Sequence, residues 1–126
     1  MNALGTQILL ELKGCDQHLL NDLAYVRQAL IQAAREVGVN IVGEAFYRFD
    51  PQGVTGILAI AESHLSIHTW PEYRYAAVDV FTCGEPEQAL KASEILIRLF
   101  KALDHSRIEL KRGPLSQPAA AARAQT

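Results

Sequence analysis

The stretch VTGILAIAESHLSIHTW, residues 54–70, decides how this chain folds. Two runs rich in Val, Ile, Leu and Thr meet at Glu62, Ser63 and His64, with no Gly, Pro or Asn-Gly pair to make the turn. VTGILAIAE (54–62) and HLSIHTW (64–70) read as consecutive strands joined by an acid, a hydroxyl and an imidazole. A second imidazole, His68, follows within the next strand. Strict alternation puts residues 63 and 68 on opposite faces of a sheet. A site that uses both therefore requires a bulge or kink between them.

Outward from this centre, NIVGEAFYRFD (40–50) reads as a strand and DPQG (50–53) as a turn, with Pro second and Gly fourth. PEYRY forms a loop, with Trp70 and Tyr73 as packing residues, and AAVDVFTCG (76–84) is again a strand. TQILLELKG (6–14) and SRIELKRG (106–113) are the outlying strands. Between them the period changes. Leu19, Leu23, Val26, Leu30, Ala34 and Val37 step by three or four, predicting a helix over 19–37 with Gly38 as its C-terminal cap. EPEQALKASEILIRLFKALD predicts a second helix. Pro86 suits its first turn, Glu85 and Glu87 favour its N-terminal dipole, and Ala89, Leu96, Phe100 and Leu103 form its buried stripe.

The condensed order is β-α-β-β-β-α-β, with a sheet of five or six strands. Two helices cannot cover both faces of such a sheet. The expected class is α+β, a two-layer sandwich of a mainly antiparallel sheet with two helices on one face. The other face then needs a partner or a ligand. Phe46, Phe49, Ile67 and Phe81 are expected there, which implies a homodimer. Residues 1–112 form a single domain, and 113–126, rich in Pro, Ser, Gln and Ala, form a disordered tail.

The bulk properties exclude several function classes. At 126 residues and 49% apolar content the chain builds one core. No apolar run approaches the roughly 18 residues of a membrane span, so no membrane role is expected. The N-terminal segment lacks a basic region and carries Glu11 within its apolar run, so it does not read as a signal peptide and a cytoplasmic location is expected. A net charge of −2, with LKRG the only basic cluster, argues against nucleic acid. Cys15 and Cys83 lie far apart, and no Cys/His spacing suggests a metal.

Ser63 admits two readings. A serine in a short connection ordinarily caps or turns the backbone. It also stands between an acid and a base, with Cys83 ending a later strand at the rim where sites are built. Hydrolase signals are missing: there is no G-x-S-x-G elbow and no glycine-rich oxyanion loop. A serine hydroxyl can instead add to the preceding carbonyl, here that of Glu62, turning the amide into an ester. β-Elimination then cuts the chain and leaves dehydroalanine, which hydrolyses to a pyruvoyl group and ammonia. Such a step needs a strained connection, a base and nearby donors.

FDPQGVTGILAIAESHLSIHTWPEYRYAAVDVFTCG (49–84) resembles the core of the bacterial and archaeal S-adenosylmethionine decarboxylase proenzymes, the pyruvoyl-dependent enzymes of spermidine synthesis. LELKGCD, RFDPQG and LKRG extend the resemblance over nearly all of the chain except the tail. It implies cleavage between Glu62 and Ser63, giving a β chain of 1–62 and an α chain of 63–126 headed by a pyruvoyl group made from Ser63. It implies that His68 is the proton acceptor in processing and that Cys83 is the proton donor in turnover. Thr55 stands where a hydroxyl residue, commonly serine, assists processing. The pyruvoyl carbonyl would form a Schiff base with the substrate amine and accept the electrons released with carbon dioxide. A thiol, mostly protonated near neutrality, is a competent donor to the resulting carbanion.

For the substrate, S-adenosylmethionine, the resemblance implies that Phe49 stacks on adenine, Leu65 lies near the ring and Glu72 accepts bonds from the ribose hydroxyls. It further implies a homodimer of αβ protomers with sites at the interface, where Phe49 of one chain serves the pyruvoyl of the other. Two other readings remain open on sequence. One is a pyruvoyl decarboxylase of the same fold acting on ornithine or arginine. The other is an unprocessed, noncatalytic binding partner.

Overall fold

Along the first strand, Ile8, Leu10 and Leu12 are buried, while their neighbours Gln7, Leu9 and Glu11 are only partly covered. That alternation recurs in three more strands and gives the sheet one apolar face. The computed structural model describes residues 3–114. Its elements are β1 (Ala3–Lys13), α1 (Gln17–Leu20), α2 (Leu23–Glu36), β2 (Ile41–Arg48), β3 (Val54–Ile60), β4 (Ser63–Trp70), β5 (Tyr75–Thr82), α3 (Pro86–Leu99) and β6 (Asp104–Pro114). A single 3-10 turn, Pro71–Tyr73, links β4 to β5. The six strands form one sheet in the order β2-β3-β4-β5-β1-β6, and every neighbouring pair is antiparallel. The class is the expected α+β sandwich, with four strands between the long helices where the condensed order has three.

Helix α2 lies over β2 and β3, and α3 lies over β1 and β5, on the same face. Val26, Leu30 and Ala34 of α2 and Ala89, Ala92 and Leu96 of α3 meet Leu58, Leu65, Ile67, Val78 and Val80 of the sheet in one core. Arg27 of α2 makes a two-pronged contact with Glu44 of β2, at 2.5 and 2.8 Å, which fastens the edge strand to the helix layer. That guanidinium also holds the Glu44 carboxyl below its ordinary pKa.

Several expectations change. The predicted helix over 19–37 is two helices, α1 and α2, broken at Asn21–Asp22. Asp16 accepts the backbone N–H groups of His18 and Leu19, and Asp22 accepts that of Tyr25, so each helix has its own carboxylate cap. The core leucine of the first turn is Leu20, fully buried, not Leu19. Leu103 lies beyond the end of α3 and is 87% exposed, so it is not part of the buried stripe. Phe46 and Ile67 do not reach the uncovered face. Phe46 packs over Gly56 on the helix side, and Ile67 is fully buried there. Phe49 and Phe81 keep to the uncovered side, as alternation requires. Strand β6 runs to Pro114, and the rest of the expected tail, 115–126, lies outside the described residues. Among the described residues no helix is long and apolar enough to cross a membrane.

The bulge expected between Ser63 and His68 is absent. Strand β4 keeps constant register with β3, from Thr55↔His68 to Ile60↔Ser63, and with β5 from His64↔Phe81 to Trp70↔Tyr75. The register shift in the β2–β3 pairing falls at Ile41–Gly43, on the edge strand. Two backbone-paired neighbours hold β4 straight, whereas an edge strand bends at little cost.

Thr69 ties three elements together at the far end of β4. Its buried hydroxyl donates to the Leu20 carbonyl and accepts the Val54 N–H, both at 2.8 Å. Asn21 adds its Oδ1 as acceptor for Gly53 N–H at 2.9 Å, so the end of α1 carries the turn before β3. Thr69→Val keeps the shape and strands both backbone groups. It is expected to cost about 1–3 kcal/mol, measured as a lower urea midpoint with an unchanged slope.

Candidate active site

Chain reversal at the β3–β4 connection uses two residues, Ala61 and Glu62, with Ile60 paired to Ser63 across it. Glu62 takes φ +60°, a left-handed conformation without a glycine to adopt it. For an L-residue this costs about 1–2 kcal/mol. The strain expected at the Glu62–Ser63 link is therefore present. Ser63 follows with its side chain at the rim of the helix-covered side. Its Oγ donates to Thr82 Oγ1 at 3.3 Å and accepts the Cys83 N–H at 3.3 Å. Thr82 Oγ1 also accepts the Gly84 N–H at 3.0 Å. The end of β5 thus presents a hydroxyl and a backbone donor to the serine, with the exposed Cys83 thiol next in sequence. His64 occupies the other face and stacks on Phe81, with ring centroids 5.6 Å apart.

His68 is elsewhere. Five residues at about 3.3 Å each put it roughly 16 Å along β4 from Ser63, on the opposite face. There its Nδ1 meets Thr55 Oγ1 at 3.0 Å, across the β3–β4 pair. Trp70 lies beside it at a centroid distance of 6.4 Å and stacks on Tyr75 at 5.3 Å. The Tyr75 hydroxyl donates to Glu11. Burial, then the Glu11 hydrogen bond and its charge, push the Tyr75 pKa up to about 12, so the phenol keeps its proton.

A cleft of about 340 Å³ gathers Phe49, Gln52, Thr55, His68, Trp70 and Glu72. Four residues singled out in the sequence, Phe49, Thr55, His68 and Glu72, meet in it. Phe49 is half-exposed at its rim. Leu65 is not brought there. Its side chain is buried on the helix face, beside Thr82 and Val80. Trp70, expected to pack, lines the cleft and is 39% exposed, while Tyr73 projects into solvent. Gln52 and Thr82 escaped the sequence reading. For Thr82 a signal existed: it shares the core parity of Ala76, Val78 and Val80, so it is a hydroxyl at a position that alternation assigns to the interior. Among the described residues no group of His, Cys, Asp and Glu is disposed to hold a metal ion.

The candidate residues thus form two clusters on one chain. Glu62, Ser63, Thr82 and Cys83 lie at one end of the β4–β5 pair. Phe49, Thr55, His68 and Glu72 lie at the other end, on or beside the uncovered face.

Comparison with known proteins gives a consistent result. The family profile described as S-adenosylmethionine decarboxylase matches residues 6–113. The S-adenosylmethionine decarboxylase proenzyme of Moorella thermoacetica is 48% identical over 122 residues, covering 97% of this chain and 98% of the relative. That of Acetivibrio thermocellus is 48% identical over 118 residues, covering 94% and 95%. The crystal structure of the adenosylmethionine decarboxylase from Aquifex aeolicus VF5 superposes with a TM-score of 0.88 at 32% identity, over 94% of this chain and 98% of that one.

The two thiols differ in environment. Cys15 is fully buried, and burial pushes its pKa up to about 11, so it stays protonated and unreactive at pH 8. Cys83 is exposed. Iodoacetamide at pH 8 is expected to label the native protein at Cys83 alone, with Cys15 labelled only after unfolding; peptide mapping by mass spectrometry reads the result.

Proposed function

The chain belongs to the S-adenosylmethionine decarboxylase family, and on that premise we propose that it cleaves itself at Glu62–Ser63 and decarboxylates S-adenosylmethionine with the pyruvoyl group so formed. The product, S-adenosyl 3-(methylthio)propylamine, is the aminopropyl donor for spermidine. The observation that carries the proposal is the Glu62–Ser63 link itself: a left-handed residue precedes a serine whose oxygen is held by two partners beside an exposed thiol.

Processing begins when Ser63 Oγ bonds to the Glu62 carbonyl carbon. The C–N bond breaks and the serine nitrogen gains the proton. Relief of the φ +60° conformation favours this step. Removal of the Ser63 α-proton expels the Glu62 carboxylate. Hydrolysis of the residual dehydroalanine releases ammonia and leaves a pyruvoyl terminus on 63–126. His68 is the proton acceptor, and Thr55 orients it by engaging Nδ1, leaving Nε2 for proton transfer. The methyl of Thr55 is expected to slow processing relative to serine while keeping the hydroxyl in place.

The residues fit the prosthetic group. The serine that supplies it lies at a rim, and the backbone N–H of Cys83, whose thiol is exposed, reaches its oxygen. Once formed, that group would supply a carbonyl able to hold the substrate amine and to accept the electrons freed with carbon dioxide. Cys83 then supplies the proton to the substrate α-carbon. Phe49 stacks on adenine and is aromatic surface for the sulfonium, an attraction of about 0.5–2 kcal/mol. Glu72, exposed at the cleft, accepts the ribose hydroxyls.

Because roughly 16 Å of straight strand separates the two clusters, one chain cannot join them. We infer a homodimer in which the His68 cluster of each protomer serves the Ser63 cluster of the other. Two-fold pairing brings opposite ends together and makes two equal sites. It also covers the uncovered sheet face, where Ile57, Trp70, Ile108 and Leu110 are exposed. The exposed free thiol suits a reducing compartment, the cytosol.

On a denaturing gel the wild-type chain is expected to give two fragments, and Ser63→Ala a single intact chain without activity. Cys83→Ala is expected to cleave and lose most turnover; normal turnover would refute its role as donor. The shared site has its own test. Cys83→Ala and Glu72→Gln, each nearly inactive alone, are expected to recover about a quarter of wild-type activity when co-expressed, since half of the dimers are mixed and each holds one intact site. No recovery would place the whole site within one chain.

A further inference from the structure

We propose that Thr82 is a positioning residue for self-cleavage: its hydroxyl holds Ser63 Oγ in place for attack on the Glu62 carbonyl. The inference rests on the processing reading above and concerns the same bond. Among the described residues, Thr82 Oγ1 and the Cys83 N–H are the hydrogen-bond partners of Ser63 Oγ, both at 3.3 Å. A threonine hydroxyl accepts two hydrogen bonds and donates one. Thr82 accepts from Ser63 and from the Gly84 N–H at 3.0 Å, so both acceptor positions are used and its orientation is fixed. β-Branching further restricts χ1. The residue is buried, and the surrounding wall of Ile60, Leu65, Val80 and Ala89 is apolar.

These contacts divide the work between two neighbours. The Cys83 N–H points at the oxygen that must carry developing negative charge as its proton leaves. Thr82 takes the serine's hydrogen bond and so selects the rotamer from which attack begins. His68 cannot do this within its own chain, being roughly 16 Å away on the other face. Thr82 therefore aligns the nucleophile before any proton acceptor from a second chain is in place. When the ester forms, Ser63 Oγ becomes bonded to the Glu62 carbonyl carbon and no longer has a hydrogen to donate. Thr82 still has its own hydroxyl hydrogen, which can turn to donate to that oxygen as charge develops, so the contact is kept through the step.

The competing role is structural, a hydroxyl that only caps the turn at Gly84. Pulse-labelled protein from cell-free translation, chased and run on a denaturing gel, gives the cleavage rate of each variant. Thr82→Val is expected to cleave about ten- to a hundredfold more slowly, the loss of one hydrogen bond to a reacting group. Thr82→Ser is expected to cleave at close to the wild-type rate. Melting of the same changes in a Ser63→Ala background, where no cleavage intervenes, reports their effect on the fold. If Thr82→Val fails to fold, Thr82→Ala against Thr82→Ser decides, with alanine slow and serine fast. Wild-type speed in Thr82→Val or Thr82→Ala overturns the inference, as does a serine variant as slow as valine. A wild-type chain that never cleaves removes the processing reading and this inference with it; a wild-type chain that cleaves while valine keeps pace removes only this inference.

Discussion

Strand β4 is hydrogen-bonded on both sides without interruption, and the placement of every candidate residue follows from that. A strand paired on both flanks can neither slip nor fold back, because a one-residue shift would turn Leu65, Ile67 and Thr69 out of the core. Residues 63 and 68 are thus locked to opposite faces and opposite ends. The sheet works as a ruler between a nucleophile and an imidazole of the same chain. In the proposed dimer, proximity, worth several kcal/mol in a well-placed pair, comes from a second chain laid in the reverse sense.

Rigidity at the cleft end has a separate origin. Asn21, Thr69 and the Phe49–Gly53 turn are held by hydrogen bonds, that of Thr69 buried, with the Phe49 N–H donating to the Gly53 carbonyl at 2.8 Å. The break between α1 and α2 makes this possible, since it frees Asn21 to cap the turn instead of continuing the helix. Phe49 and Glu72 stand on two such anchored connections, one on each side of His68. The proposed roles of Phe49 and Glu72 toward an adenine and a ribose diol would gain from such rigidity, because each polar contact is worth most where its donor or acceptor is already in place.

Much of this was legible in the residues. The strands at 40–50, 54–62, 64–70 and 76–84, the turn at 50–53 and the Gly38 cap all appear, because alternation and turn chemistry are local signals. What escaped was of two kinds. Caps inside a periodic run are easily passed over: Asp22 sits where the apolar step continues, and only its side chain's preference for the Tyr25 N–H ends the run. Faces are the other kind. Phe46 and Ile67 look like interface aromatic and aliphatic residues, yet their parity places them under the helices. The same parity, applied to Thr82, would have set a hydroxyl among buried aliphatics and raised the question of what it bonds. The bulge demanded between Ser63 and His68 does not form, because β4 is paired in constant register on both sides.

The strand order has a mechanical corollary. A cut between residues 62 and 63 opens the β3–β4 hairpin at its tip, beside the last pair, Ile60–Ser63. The N-terminal piece keeps β1, β2 and β3, and the C-terminal piece keeps β4, β5 and β6. In the sheet these do not segregate, since β1 lies between β5 and β6. The halves are interleaved like fingers of two hands, and neither withdraws without tearing a central strand from both neighbours. A nicked molecule of this design stays whole through its hydrogen-bond ladder and the core that both pieces share, while the fresh end gains the freedom to swing that an intact loop denies it.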